Sequence, residues 1–231
     1  ADRPLINVCQ AAPVDPPPMP MREAIAEAVL HNDAAHLYGP DLGLPGLRAE
    51  LAGKWSRAYG GAVAPAQVAI TSGCNQAFAG AIMALCAEGD EVILPSPWYF
   101  NHHMWLDMCG LRTVALPTGP DMLPDPAEAA ALITPRTRAI AIASPNNPAG
   151  VEYPPELLRA LFEICRENRI KLILDETYRD FHAAPGAPHD LFTDPDWHDT
   201  LIQLYSFSKA YRLTGHRVGA MTAATAVLAE V

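Results

Sequence analysis

From residue 68 onward the sequence alternates short apolar runs with longer amphipathic stretches, and this alternation limits the possible folds more than any other feature. The apolar runs are rich in branched aliphatic residues and end at polar residues or proline, which is typical of buried strands. Predicted strands cover 68–71, 91–94, 112–116, 139–143, 171–174, 201–205 and 218–222. Predicted helices cover 21–31, 75–87, 102–109, 126–133 and 155–168, and Leu47, Leu51 and Trp55 recur at helical spacing. Such alternation requires crossover connections, so we predict an α/β fold with a mostly parallel sheet that is covered on both faces.

Composition narrows the class of protein further. Half of the 231 residues are hydrophobic, which is enough for the core of one large domain. The formal net charge of −10 argues against a nucleic-acid partner, because phosphate binding needs a basic surface. The longest apolar stretch, 77–87, is too short to span a bilayer, so we expect a soluble cytoplasmic protein without a membrane partner. Five scattered cysteines without a C-x-x-C pair favour a reducing compartment and give no zinc site.

The N-terminal part of the chain differs from the rest. Prolines at positions 16, 17, 18 and 20 favour an extended arm, because proline fixes φ and removes a hydrogen-bond donor. We therefore divide the chain into residues 1–34, an arm with a first helix, and residues 35–231, one large domain. The first residue is not Met, which predicts that the chain is a portion of a longer protein.

Polar residues gather where the predicted strands end. They are Ser72-Gly73, Tyr99, Asn146-Asn147, Asp175 with Tyr178, and residues 206–209. In an open parallel sheet, ligands bind beyond the carboxyl ends of the strands. The clustering therefore predicts a ligand site at this edge of the sheet.

Each of these strand ends has an ordinary interpretation beside the functional one. The turn at 71–75 opens a helix, whose free N–H groups suit a phosphate, although Ser72 could simply cap that helix. Asp175 ends an apolar strand and needs a cationic or N–H partner, which a surface ion pair would also supply. Lys209 could be a nucleophile at a buried edge or a solvated loop lysine, and Arg217 could bind an anion or be a surface charge.

Taken in order, these residues resemble the fold-type I pyridoxal-phosphate (PLP) enzymes of aminotransferase class I/II. The matching segments are Tyr38 with Gly43-Leu44-Pro45-Gly46-Leu47-Arg48, Thr71-Ser72-Gly73, Ser144-Pro145-Asn146-Asn147-Pro148-Ala149-Gly150, Asp175-Glu176-Thr177-Tyr178, Ser206-Phe207-Ser208-Lys209 and Gly215-His216-Arg217-Val218-Gly219. The resemblance implies a PLP-transferase-like three-layer α/β/α large domain. Its seven-stranded sheet would be mostly parallel, with one antiparallel strand.

The resemblance also implies roles around the reacting centre. Lys209 matches the lysine that forms the internal Schiff base and then moves the substrate α-proton. Asp175 matches the partner of the pyridine nitrogen. Asn147 and Tyr178 match donors to the phenolic oxygen of the cofactor. Tyr99 matches the aromatic residue that stacks on the pyridine ring, with Trp98 as the neighbouring alternative.

The remaining implied roles concern the cofactor phosphate and the assembly. The turn of Ser72, Gly73 and Cys74 matches the phosphate-binding turn, and Ser206 and Arg217 match side-chain donors to the same group. Tyr38 matches a tyrosine that reaches the cofactor phosphate of a partner subunit, which implies a homodimer with shared active sites.

Two departures from the family bear on substrate binding. Residues 6–10 match the family's N-terminal segment, but Ala11 stands where glycine often helps to seat the substrate. Members of the family also continue into a small C-terminal domain that carries the arginine for the substrate α-carboxylate, and we expect that domain to be absent from this chain.

The leading hypothesis is therefore a PLP-dependent aminotransferase that moves an amino group between an amino acid and a 2-oxo acid by a ping-pong Schiff-base mechanism. Two alternatives use the same cofactor site: a lyase that catalyses a C–S or other β-elimination, and a non-catalytic regulatory module.

Other titratable residues fit structural interpretations better. His102, His103 and Trp105 are expected to pack at helical spacing rather than to line a pocket. His182, His189 and His198 lie in a polar loop without metal-ligand spacing, so we predict no metal site. Glu176 should face away from Asp175, because neighbouring strand residues point to opposite faces.

Overall fold

A computed structural model describes Ile6 and residues 12–231. The segment 7–11, which includes Ala11, lies outside the described residues, so the expectation about substrate seating there is not addressed. None of the helices in the described part of the chain has the length and apolar character that a membrane crossing requires.

Strands and helices alternate along the described residues as the sequence predicts. The strands are β1 (Val68–Thr71), β2 (Glu91–Ser96), β3 (Arg112–Pro117), β4 (Thr137–Ala143), β5 (Lys171–Asp175), β6 (Leu201–Ser206) and β7 (Gly219–Thr222). The helices are α1 (Met19–His31), α2 (Pro45–Tyr59), α3 (Cys74–Leu85), α4 (Phe100–Met108), α5 (Pro126–Ala131), α6 (Pro155–Glu167) and α7 (Thr225–Leu228). Short 3₁₀ turns join several of these elements.

The seven strands form one sheet in the order β1-β7-β6-β5-β4-β2-β3. Strand β7 runs antiparallel to both of its neighbours, and the other neighbouring pairs are parallel, which confirms the predicted sheet with one antiparallel strand. The connection from β6 to β7 contains only a 3₁₀ turn, so no helix carries the chain back for a parallel pairing. The carboxyl ends of β1, β2, β4, β5 and β6 and the start of β7 therefore meet at one edge.

Two apolar layers flank the sheet and confirm the three-layer α/β/α architecture. Alternate residues of the central strands divide between them, so that Ile140 and Ile142 pack on one face and Ala139 and Ala141 on the other. The first face is covered by α2, α5 and α6, and the second by α3, α4 and α7. Helix α6 can cover the sheet because the residues that it buries recur along one side of the helix. They are Leu157, Leu158, Leu161, Phe162 and Cys165.

Helix α1 differs from the other long helices because it buries none of its own residues. Its exposed apolar side chains include Met19, Val29 and Leu30. Helix α1 ends at His31, and the division of the chain at residue 34 stays a prediction.

Candidate active site

A cavity of about 510 Å³ opens at the carboxyl edge of the sheet. Eight of the residues predicted to form the site line it: Cys74, Tyr99, Asn147, Asp175, Tyr178, Ser206, Lys209 and Arg217. The first and the last of these residues, Cys74 and Arg217, are 143 positions apart in the sequence. The sheet brings them together. The predicted convergence of the strand ends thus produces a single concave site.

The N-terminus of α3 forms one wall of the cavity. Gly73 is the N-cap residue, with φ of 82°, and no side chain caps the helix there. The alternative in which Ser72 caps α3 is therefore wrong; the backbone N–H of Ser72 instead donates to Oε1 of Gln76. The free N–H groups at the start of the helix make this wall attractive to an anion.

Arg217 lies directly against this helix terminus. A Cβ atom added to Gly73 would stand 2.2 Å from Nη2 of Arg217, so only glycine allows this approach. Gly219, at the start of β7, is similarly close, since its Cβ would stand 2.6 Å from the backbone nitrogen of Cys74. The guanidinium and the helix N-terminus consequently present positive charge to the same small volume.

Hydroxyl groups complete this corner of the cavity. Nη1 of Arg217 donates to the backbone oxygen of Thr214 at 3.0 Å and lies 3.5 Å from Oγ of Ser208. Oγ of Ser206 accepts a hydrogen bond from the backbone nitrogen of Ser208 at 3.1 Å. The corner therefore offers a cation, hydroxyl groups and backbone N–H groups, a donor set that suits a phosphate. Burial raises the pKa of the Cys74 thiol well above its usual value, so the thiol keeps its proton.

Asp175 lies at the floor of the cavity and is almost fully buried. One carboxylate oxygen accepts a hydrogen bond from the backbone nitrogen of Thr177 at 2.9 Å, and the other lies 3.2 Å from Nε2 of His102. Burial by itself would raise the pKa of Asp175, but the hydrogen bond and charge of His102, together with the bonds to Thr177, bring the pKa below its ordinary value. The site thus holds an ionised carboxylate away from water.

His102 is the functional residue that the sequence interpretation missed. Its ring stacks on Phe78, with the centroids 4.1 Å apart, and meets Tyr99 edge-on at 5.2 Å. The packing expected from helical spacing is present, yet the same ring also holds Asp175. The signal was available: Tyr99 precedes α4 and His102 follows it by three residues, which places both on one side of the helix start.

Lys209 and Tyr178 lie next to each other in the cavity. Nζ of Lys209 stands 5.4 Å from the centroid of the Tyr178 ring. Burial lowers the pKa of Lys209 and raises the pKa of Tyr178. Both shifts favour the uncharged form, so the site holds an amine with more nucleophilic character than a solvated lysine and a phenol that remains a donor.

A tight loop after β4 carries Asn147. The neighbouring Asn146 closes it, accepting from the backbone nitrogen of Ala149 at 2.9 Å through Oδ1 and from that of Gly150 at 2.8 Å through its own backbone oxygen. The backbone nitrogen of Ser144 donates to the backbone oxygen of Asp175 at 3.0 Å. This bond ties the Asn147 loop to the strand end that carries the buried carboxylate.

Three predicted residues, Ser72, Gly73 and Tyr38, lie outside the lining of the cavity. Gly73 forms the turn behind it, Ser72 is exposed, and Tyr38 is fully exposed. Of the two aromatic candidates for stacking, Tyr99 lines the cavity, whereas Trp98 packs near His103 at 5.1 Å.

The remaining titratable residues lie where the sequence placed them, outside the site. Glu176 is buried on the opposite side of β5, next to His189. Within the described residues, no group of three or more His, Cys, Asp or Glu is arranged to hold a metal ion. The cysteines outside the undescribed segment, Cys74, Cys86, Cys109 and Cys165, are free thiols.

Comparison with known proteins gives one consistent family. The family described as aminotransferase class I and II matches residues 3–231. A probable aspartate/prephenate aminotransferase of Thermus aquaticus is 36% identical over 191 residues, which cover 79% of this chain and 47% of the relative. A valine–pyruvate aminotransferase of Mycobacterium tuberculosis is 35% identical over 218 residues, which cover 93% of this chain and 55% of the relative.

Solved structures agree with the sequence comparison. A Thermus thermophilus aspartate aminotransferase mutant superposes with a TM-score of 0.90 at 31% identity, covering 99% of this chain and 62% of that one. YbdL from Escherichia coli, identified as having a methionine aminotransferase function, superposes with a TM-score of 0.90 at 29% identity, covering 97% of this chain and 60% of that one. The chain spans about half the length of the curated relatives that it matches.

Proposed function

The chain belongs to the class I and II aminotransferases, and we propose that its protein moves an amino group between an amino acid and a 2-oxo acid, using pyridoxal 5'-phosphate, in a ping-pong cycle. The observation that carries this proposal is that Lys209 and the buried Asp175 line the same cavity. An amine and an ionised acid in one site are what this cofactor needs from a protein.

The corner at the start of α3 fits the cofactor phosphate. Gly73 and Cys74 would supply backbone N–H groups, and Ser206 and Arg217 would supply side-chain donors. The collision that a Cβ on Gly73 would make with Arg217 supports this assignment, because it shows that the guanidinium and the helix terminus are close enough for one anion.

The floor and walls fit the cofactor ring. Asp175, kept ionised by His102 and Thr177, would hold the pyridine nitrogen in its protonated form. Asn147 and Tyr178 would donate to the phenolic oxygen, and Tyr99 would pack on the face of the ring. When bound, the cofactor supplies an electron sink for the negative charge that develops at the substrate Cα.

Lys209 would both hold the cofactor and move a proton. Since burial lowers its pKa, a larger fraction of its amine is neutral near pH 7 than in a solvated lysine. The neutral Nζ would take the proton from the substrate Cα and return it to the product carbon.

The proposal extends to a homodimer with shared sites. Tyr38 and its neighbours Leu37 and Leu44 are exposed, and Tyr38 stands outside the cavity of its own chain. A tyrosine in that position is suited to reach the cofactor phosphate of a partner subunit. The cytoplasmic location expected from the composition stays a prediction.

Cofactor capture tests the proposal. PLP is added to the full-length protein, the visible absorbance band is recorded, and the adduct is reduced with borohydride and mapped by mass spectrometry. We expect the label on Lys209, the loss of band and label in Lys209→Ala, and conversion of an amino-acid donor only when a 2-oxo acid is present to complete the cycle.

A matched control separates the site from general lysine reactivity. Lys171 is another partly buried lysine of the same sheet, and burial lowers its pKa too, but it begins β5 at the opposite edge. Lys171→Arg should keep the band and the label. A Lys209→Ala protein that retains both would refute the assignment, and release of ammonia without a 2-oxo acid would favour a lyase.

A further inference from the structure

A second buried polar cluster lies on the other side of β5 from the cavity. Its centre is Glu176, which is 1% exposed. Oε2 of Glu176 accepts hydrogen bonds from the hydroxyl of Tyr59 and from Nε2 of Gln203, each at 2.5 Å. Its Oε1 lies 3.4 Å from Nε2 of the buried His189, whose ring stacks on Tyr59 with the centroids 4.6 Å apart. A buried carboxylate with this many partners is firmly held.

The cluster is covalently joined to the cavity by a single turn. The backbone nitrogen of Arg179 donates to the backbone oxygen of Glu176 at 3.0 Å, which closes a four-residue turn. The two central residues of that turn, Thr177 and Tyr178, line the cavity. Thr177 also donates its backbone N–H to Asp175 at 2.9 Å. The position of the turn therefore determines where Tyr178 stands and supports the buried carboxylate.

Tyr59 holds both ends of this turn. Its hydroxyl donates to Glu176 at the first position and accepts from Nε of Arg179 at the fourth, at 2.8 Å. The guanidinium of Arg179 lies 5.0 Å from the ring centroids of both Trp55 and Tyr59, so α2 supports it from the side as well. One phenolic oxygen on α2 thus links the two residues that flank Thr177 and Tyr178.

The charges in this cluster favour the same hydrogen-bond pattern. Burial, and then the negative charge of Glu176, raise the pKa of Tyr59 well above its usual value, so the phenol keeps its proton. Burial would raise the pKa of Glu176, but His189 and the hydrogen-bond donors around it lower the pKa overall, so the carboxylate stays an acceptor. On the α2 side, the turn also faces Arg179 and Asp180, whose side chains pair at 2.9 Å, and Lys54, which lies 3.7 Å from Asp180. On the cavity side it faces Asp175, which accepts from Thr177, and Lys209, whose Nζ lies 5.4 Å from the Tyr178 ring.

We propose that Tyr59 is a positioning residue that acts through Glu176 and Arg179 to fix Tyr178 in the cavity. This inference rests on the proposed function, in which the Tyr178 hydroxyl donates to the phenolic oxygen of the cofactor. Tyr59 itself stays on the far face of the sheet and does not line the cavity.

The test is Tyr59→Phe in the full-length protein loaded with PLP. The substitution removes the hydroxyl that links the two ends of the turn and leaves the ring stacked on His189. With Tyr178 held less firmly, the cofactor's phenolic oxygen loses part of its donor, and the pH midpoint of the cofactor absorbance should rise by about half a pH unit. Arg179→Gln breaks the same link from the other end and should shift the midpoint in the same direction.

A control and a second background separate positioning from a general loss of stability. Ser56 also lies on α2, and Ser56→Ala also removes a hydroxyl link, since the partly buried Oγ of Ser56 accepts a hydrogen bond from the backbone nitrogen of Val63 at 3.0 Å. That variant should lower the thermal unfolding temperature without moving the midpoint. If Tyr59 acts through Tyr178, the shift caused by Tyr59→Phe should disappear when Tyr178→Phe is already present.

The outcomes distinguish this inference from the proposed function. A wild-type protein that gives no absorbance band with PLP contradicts the proposed function. A normal band whose midpoint is unchanged in Tyr59→Phe, or moves equally with and without the Tyr178 hydroxyl, overturns the positioning role alone. If Tyr59→Phe does not fold, Arg179→Gln carries the same comparison.

Discussion

The contact between His102 and Asp175 makes a quantitative prediction about stability and pH. His102→Phe keeps a flat ring against Phe78 but removes the only imidazole that the structure places on this carboxylate within the described residues. The side chains of His102 and Asp175 are 4% and 6% exposed, so little water reaches the contact between them. A hydrogen bond to a buried charged group contributes about 1.5–3 kcal/mol, so we expect a loss of that size in the free energy of unfolding at pH 7.5.

The pH dependence follows from the sign of the pKa change. In the wild type, the pKa of Asp175 is below its unfolded value of about 3.9, so its contribution is complete above that pH and is lost as the pH falls through the folded pKa. In His102→Phe, burial acts with less opposition, so the pKa of Asp175 rises. The difference in the free energy of unfolding between the wild type and His102→Phe should therefore be small near pH 4 and reach its full size by pH 7.

Urea unfolding of the cofactor-free protein at several pH values measures this difference. His103→Phe is the matched control, because His103 is the next residue on α4 but is partly exposed, bonding only to Thr113 and Asp107. His103→Phe should lower the free energy of unfolding by less than about 0.5 kcal/mol. Equal stability of His102→Phe and the wild type at pH 7.5, or a difference that grows toward low pH, would contradict the account of how Asp175 is kept ionised.

Two further predictions concern the phosphate corner and the core. Gly73→Ala places a Cβ 2.2 Å from Arg217 at a residue with positive φ, so affinity for PLP should fall by about tenfold or more in an absorbance titration. Gly46→Ala, which meets no atom within 4 Å, should leave that affinity unchanged. Leu161→Ala empties a fully buried position of α6 and should lower the free energy of unfolding by about 2–5 kcal/mol in urea, whereas Leu30→Ala, at an exposed position of α1, should change it by less than about 0.5 kcal/mol.

The strands were predictable to within one or two residues because their apolar runs stop at polar residues or proline. One two-residue difference is at the end of β2, which was predicted to stop at Leu94 but continues through Pro95 to Ser96. Pairing of β2 with β4 ends at Ile93, while pairing with β3 continues to Ser96. Proline is tolerated there because one side of the strand no longer needs its N–H group.

Most of the candidate site could be predicted because the residues that form it follow strand ends, where sequence position fixes location. The spacing from Tyr99 places His102 on the same side of the start of α4, but it does not predict the contact of His102 with Asp175. His102 lies 73 positions before Asp175 in the sequence, on a helix whose packing position depends on the order of the strands. That order, β1-β7-β6-β5-β4-β2-β3, is set by the crossover connections and by contacts between distant segments, which no local pattern encodes.

The adjacent carboxylates of Asp175 and Glu176 show how one strand end serves two purposes. Because consecutive side chains point to opposite faces, Asp175 meets His102 on the cavity side of the sheet, while Glu176 meets Tyr59 of α2 on the other. The next two residues, Thr177 and Tyr178, line the cavity in a turn that is fixed from both faces of the sheet. On the cavity side Thr177 donates to Asp175, and on the other side Arg179 donates to the Tyr59 hydroxyl. A site built in this way is held in part from the far side of the sheet. Residues that do not contact the ligand can therefore fix the positions of the side chains that do.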